Sequence, residues 1–120
     1  MMEARQLVDS IVEAIQEQKG KRIVLADLSH IGNTICRYLV ICEGTSNTHV
    51  SAIADNVKDH VRKNAGEKPL GMEGLENCLW VVADYGDVMV HVMQREPREF
   101  YDLEHLWEDA VLSEIEDQDD

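Results

Sequence analysis

Positive charge is scarce in this chain. Its 120 residues hold 11 Lys and Arg against 24 Asp and Glu, a formal net charge of −13. A chain this acidic is repelled by phosphate backbones, which argues against direct specific nucleic-acid binding through a basic face. It is attracted instead to a basic protein surface, an attraction that mainly speeds encounter. Long apolar runs are also missing. None approaches the ~20 residues needed to cross a bilayer, so no membrane partner is expected. The opening MMEARQLVDS lacks the cationic-then-apolar pattern of an export signal. The three cysteines, Cys36, Cys42 and Cys78, have no CxxC spacing and leave an odd one over. Reduced thiols in a cytoplasmic protein are the expectation.

Catalytic and metal signatures are thin. His30, His49, His60, His91 and His105 are scattered, without ligand partners at metal-binding spacing. Cys42 lies inside an apolar run, where a thiol is inert, and no Ser sits in a GxSxG elbow. No catalytic, cofactor-binding or metal residue is therefore assigned. One feature points the other way. Gly44-Thr45-Ser46, between a strand and a helix, looks like the glycine–serine turn of nucleotidyltransferases, where backbone amides can hold a phosphate. That chemistry needs carboxylates on neighbouring strands to hold divalent metal ions. The acid-x-acid alternation is absent after Ser46, so Asp84 and Asp87 could serve only if the hairpin end brought them beside the turn. A metal-dependent, nucleotidyltransferase-like enzyme acting on a nucleotide is the alternative reading.

What is present is an ordinary globular composition, 44% apolar and 29% charged. A chain of this length buries roughly two-thirds of its unfolded surface. Residues 101–120 carry nine acids and no Lys or Arg. This predicts one α/β domain over residues 1–110, then an acidic, disordered tail over 111–120. Leu7, Val8, Ile11, Ala14 and Ile15 recur at helical spacing over Glu3–Gln18, and Lys19-Gly20 stops that helix, with glycine in the left-handed conformation. Arg22–Asp27 and Arg37–Cys42 read as strands that can pair as a hairpin. Val50, Ile53, Ala54, Val57 and Val61 form the stripe of a helix over Ser46–Asn64, capped by Ser46 or Asn47, the only connection long enough for a parallel crossover. A loop follows with a short edge strand near Leu70–Glu73, then strands Leu79–Ala83 and Val88–Met93. Pro97 opens a last helix carrying Phe100, Leu103 and Trp107 along one side. The order predicts a mixed sheet of four to five strands with helices packed on it.

The segment WVVADYGDVMVHVMQ (80–94) carries the functional signal. With Tyr85-Gly86 as a two-residue turn, Asp84 faces Asp87, Val82 faces Met89 and Trp80 faces His91. Alternation places Leu79, Val81, Ala83, Val88, Val90 and Val92 on one face, all apolar. The other face receives Trp80, Val82, Asp84, Asp87, Met89, His91 and Met93. Trp and Met are enriched at the anchors of protein interfaces, and the two acids suit a basic partner. The second face is read as a protein-docking surface.

VLADLSHIGNTICRYLVICEGTSNTHVSAIADNV (24–57), PLGMEG (69–74) and WVVADYGDVMVHVMQREPREFYDLEHLW (80–107) together resemble the ribosomal silencing factors, the Iojap-related family, over roughly residues 4–108. The chain departs from the family pattern at Arg37, where an acid is common, and at Leu39, where Phe is common. The resemblance implies an α/β fold similar to nucleotidyltransferases, without established catalysis. It also implies binding to protein fourteen of the large ribosomal subunit, where the bound factor sterically blocks joining of the small subunit and lowers translation when nutrients are scarce. The implied partner contacts are Trp80, Asp84, Tyr85, Asp87, His91 and Tyr101, and the implied oligomer is a homodimer.

Overall fold

A computed structural model describes residues 4–32, 36–107 and 109–117. Helix α1 (Ala4–Glu17) buries the predicted stripe from Leu7 to Ile15. It stops as expected, but Lys19 rather than Gly20 takes the left-handed conformation, with φ 61°. Gly20 is needed for another reason: its N–H donates to the Ile15 carbonyl at 3.0 Å, and a Cβ there would run into the Ile15 side chain.

Strand β1 (Lys21–Asp27) pairs antiparallel with β2 (Tyr38–Gly44), with a bulge after Lys21 where Arg22 adopts φ 50°. Leu39 is buried in β2, and the Arg37 guanidinium lies 6.0 Å from the centre of the Tyr38 ring. Helix α2 (Asn47–Ala65) begins where the Ser46 hydroxyl accepts the His49 N–H at 3.1 Å. It ends at Gly66, φ 70°, whose N–H donates to the Arg62 carbonyl. Its stripe from Val50 to Val61 packs with α1 on one face of the sheet. The short strand β3 (Gly71–Glu73) follows, then β4 (Trp80–Asp84) and β5 (Val88–Gln94). Strands β2 and β5 are parallel, and the sheet order is β3-β4-β5-β2-β1 with a sixth strand beyond β1.

That sixth strand corrects the reading of the C-terminus. Val111–Ile115 forms β6, paired antiparallel with β1 from Ile23↔Ile115 to Asp27↔Val111. The sheet therefore has six strands rather than four to five. The first half of the supposed tail belongs to it, while residues 118–120 lie outside the described residues. Val111, Leu112 and Ile115 were its local signal, outweighed by the five acids of residues 111–120; four of the five β6 residues are exposed, so the strand is held mainly by backbone pairing. The last helix is also shorter than its apolar spacing predicts. Helix α3 spans Arg95–Tyr101, because Asp102 takes the left-handed conformation (φ 48°) and the chain continues as a 3-10 turn over Leu103–His105. Leu103 and Trp107 pack inward and Phe100 points out.

The sheet has two unlike faces. One carries Ile23, Leu25, Val40, Cys42, Val81, Ala83, Val88, Val90 and Val92 under α1 and α2. The other carries Ala26, Leu39, Ile41 and Met93, covered by Leu28, Ile31 and Cys36 and by Leu103, Trp107 and Ala110. Toward β4 this second cover gives out, and Trp80, Val82, Asp84 and Met89 are only half-buried.

Candidate docking site

The β4–β5 hairpin turns one residue later than expected. Tyr85 N–H donates to the Val88 carbonyl at 2.9 Å, so Gly86 and Asp87 are the two turn residues. Gly86 has φ 84° at the first central position, the geometry that a glycine-first hairpin turn requires. The Asp84 carboxylate holds the turn by accepting the Gly86 N–H at 2.8 Å. Trp80 therefore stands opposite Met93, Val82 opposite His91 and Asp84 opposite Met89, not in the pairs first expected. Moving a turn by one residue shifts pairing by two, and side chains alternate with period two, so every residue keeps its face. The partition into an apolar face and a mixed face is unchanged, except that Leu79 precedes the strand and is exposed.

Trp80 and His91 meet diagonally across the hairpin: Trp80 Nε1–H donates to His91 Nδ1 at 3.0 Å. The four rings His91, Trp80, Tyr101 and Phe100 make a continuous row. Centroid separations are 5.9 Å for His91–Trp80, 4.8 Å for Trp80–Tyr101 and 5.0 Å for the edge-on Tyr101–Phe100 pair. Each such contact contributes about 0.5–1.5 kcal/mol beyond the area it buries. Leu79, Trp80, Pro97, Phe100 and Tyr101 line an open groove of about 730 Å³. Phe100 is 79% exposed and Leu79 48%. Sequence reasoning missed both, having placed Phe100 on one side of a longer helix together with Leu103 and Trp107, and Leu79 on the core face. The signal available for Phe100 was Asp102, a residue type that tolerates the helix-ending left-handed conformation.

The six expected contact residues divide. Trp80, Asp84 and Tyr101 share the open part of the second face, and Asp87 is exposed at the hairpin tip. The Asp87 carbonyl accepts the N–H groups of Arg37 and Tyr38, which fixes the tip while leaving its carboxylate outside. His91 is buried, contrary to its expected role at the surface. It is 8% exposed, and burial pushes its pKa from 6.5 to about 4, so a neutral ring braces Trp80 from beneath. Tyr85 is on the opposite side of the sheet. Its odd position in the alternation sends it with Val81 and Ala83 against the α1–α2 core. Burial raises its pKa to about 12, and among the described residues its hydroxyl has no hydrogen-bond partner.

Helix α3, which presents Tyr101, is held by a buried cation. Arg98 is 2% exposed; its Nη2 bonds to Glu104 at 2.9 Å, and Nη1 lies 3.8 Å from Glu43. Glu43 also takes Arg22 Nη1 at 3.0 Å, which ties the helix to β1 and β2.

The enzyme-like constellation does not assemble. Gly44 pairs with Gln94 at one end of β2 and β5, whereas Tyr38 pairs with Val88 at the other, next to Asp87. Six residues of strand put Asp84 and Asp87 roughly 20 Å from the glycine turn. The turn is explained by packing: a Cβ on Gly44 would lie 2.7 Å from Val50 Cγ2. Its polar groups serve the fold, with Thr45 N–H donating to His49 Nδ1 at 2.9 Å and His49 Nε2 meeting the Gln18 carbonyl at 2.7 Å.

The model of a family described as ribosomal silencing factor during starvation matches residues 1–120. A ribosomal silencing factor from Haemophilus influenzae is 42% identical over 101 residues, covering 84% of this chain and 97% of that one. The crystal structure of a Chromobacterium violaceum protein superposes with a TM-score of 0.83 at 37% identity, covering 89% of this chain and 88% of that one. A mouse protein named for mitochondrial assembly of the ribosomal large subunit is 35% identical over 113 residues, covering 92% of this chain and 48% of its own.

Proposed function

Because the chain belongs to the family of ribosomal silencing factors, a regulatory rather than a catalytic family, we propose that it binds the large ribosomal subunit and sterically blocks joining of the small one. Translation would thereby fall when nutrients are scarce. In this reading the partner is protein fourteen of the large subunit. Trp80, Tyr101 and Phe100 supply the apolar anchor, and Asp84 and Asp87 face the partner's basic groups. The observation that carries it is the row of rings from Trp80 to Phe100 at one end of the half-covered β4 face, with Asp84 and Asp87 toward the hairpin end. The name of the mouse relative supports a large-subunit address. Reducing conditions in the cytoplasm suit three buried thiols. A homodimer belongs to the same proposal, and sedimentation equilibrium of the isolated protein measures it.

The test is co-sedimentation with isolated large subunits together with a subunit-joining assay. Wild type should co-sediment and block joining. Trp80→Ala/Asp87→Lys should stay folded by circular dichroism and lose both. A buried aromatic anchor contributes ~2 kcal/mol or more, roughly thirtyfold in affinity. Phe100→Ala/Asp87→Lys perturbs only exposed side chains and should weaken binding as well. Folded variants that block joining as well as wild type would refute the docking face.

A further inference from the structure

A net charge of −13 conceals a local excess of the opposite sign. Lys58, Arg62, Lys63 and Lys68, four of the chain's 11 basic residues, fall within residues 58–68, on the last turns of α2 and the loop beyond it. Arg62 and Lys63 have structural work: both reach Asp59, at 3.0 and 2.9 Å, and cations there offset the helix macrodipole. Lys58 and Lys68 are different. Both are exposed, and neither makes an ion pair among the described residues. With Arg62 they line a groove of about 510 Å³ floored by Pro69, Met72 and Leu75, and no carboxylate lines it.

The position of the groove matters as much as its charge. Its floor includes β3, the edge strand that pairs with β4. Met72 packs against the α1–α2 core, so the groove opens on the helix side of that edge. Trp80 and Asp84 lie on β4 on the other side of the sheet. A partner seated along the β3–β4 edge meets an acidic, aromatic strip on one side and a cationic groove on the other.

We propose that this groove seats the phosphate backbone of ribosomal RNA next to the protein surface that the Trp80 face engages. The inference rests on the reading that the chain docks on the large subunit. A ribosomal subunit is largely RNA, and a strongly acidic factor is repelled by it at long range. Within a Debye length of ~8 Å at physiological salt, local charge decides. Two lysines with no ion-pair partner among the described residues grip phosphate oxygens as mobile point charges and give up no such pair to do so. Such contacts add affinity and fix orientation without reading bases. Whole-chain composition argues against specific nucleic-acid recognition; it does not exclude a local backbone contact.

The experiment measures affinity for isolated large subunits between 50 and 200 mM monovalent salt (on the scale over which counterion release is read). Each phosphate contact contributes ~0.7–0.9 to the slope of log affinity against log salt. Lys58→Gln/Lys68→Gln should therefore flatten the slope by about 1.4 to 1.8 and weaken binding on the order of tenfold at the lowest salt. Trp80→Ala alone, which leaves the charge unchanged, should weaken binding with the lysine-dependent slope retained. A lysine variant that matches wild type in slope and affinity overturns this inference alone. Wild type that fails to bind large subunits overturns both readings. Crosslinks from residue 68 that reach only protein carboxylates, never RNA, also overturn it.

Discussion

Acid should destabilise this protein through one imidazole, and His91→Gln should remove that part of the loss. His91 lies mid-sheet, opposite Val82 of β4 and Ile41 of β2, with its Nδ1 occupied by the Trp80 indole. Burial lowers its pKa from 6.5 to about 4. Between those values the unfolded chain takes up a proton that the folded chain refuses. Stability fully present above pH 6.5 is therefore lost progressively as pH falls toward 4. At about 1.4 kcal/mol per pKa unit, the loss is about 3 kcal/mol by pH 4. Gln keeps a carbonyl oxygen that can accept the indole N–H and does not titrate. Urea unfolding of both proteins at several values from pH 7 to 4 gives the stability difference at each. The other titrating groups cancel in that difference, which should change by about 3 kcal/mol across the range. A difference that stays constant with pH would show that His91 is not held neutral beneath Trp80, and the bracing role would fall with it.

Two further outcomes follow from the packing around the docking face. Gly74 has φ 91°, and a Cβ there would lie 3.0 Å from the Trp80 carbonyl carbon and overlap its oxygen. Gly74→Ala should cost about 1–3 kcal/mol and weaken large-subunit binding by displacing Trp80, while Gly32→Ala, with open space around it, should change neither; thermal melts and co-sedimentation check both. Arg98→Met leaves Glu104 without its buried partner and should cost about 3–5 kcal/mol. Adding Glu104→Gln should recover part of that, so a double-mutant cycle in urea with strictly additive costs would refute the pairing.

Much of the fold is local and was legible. The stripes of α1 and α2, the Ser46 cap, the hairpin of β1 and β2 and the apolar face of β4 and β5 each follow from patterns within about 25 consecutive residues. The mixed face of residues 80–93 even survived a misplaced turn, because a shift in pairing by two leaves a period-two pattern unchanged. Legible too were Trp80 and Asp84 on the mixed face of β4, with Asp87 at its hairpin end. Tyr85 and His91 were not, since naming a residue in a motif does not say which side of a sheet it enters or what covers it.

The amino-acid order by itself determined the buried stripes of α1 and α2, the apolar side of β4 and β5, and that the molecule carries an excess of acid. Tertiary structure alone decided that Val111–Ile115 closes the far edge of the sheet against β1, that α3 stops at Tyr101 and turns Phe100 outward, and that the Gly44 turn and the two hairpin acids stand at opposite ends. The division has one physical cause. Periodicity is written in neighbouring side chains, whereas strand pairing is made by backbone groups identical at nearly every position, brought together only when distant segments collapse onto a shared core.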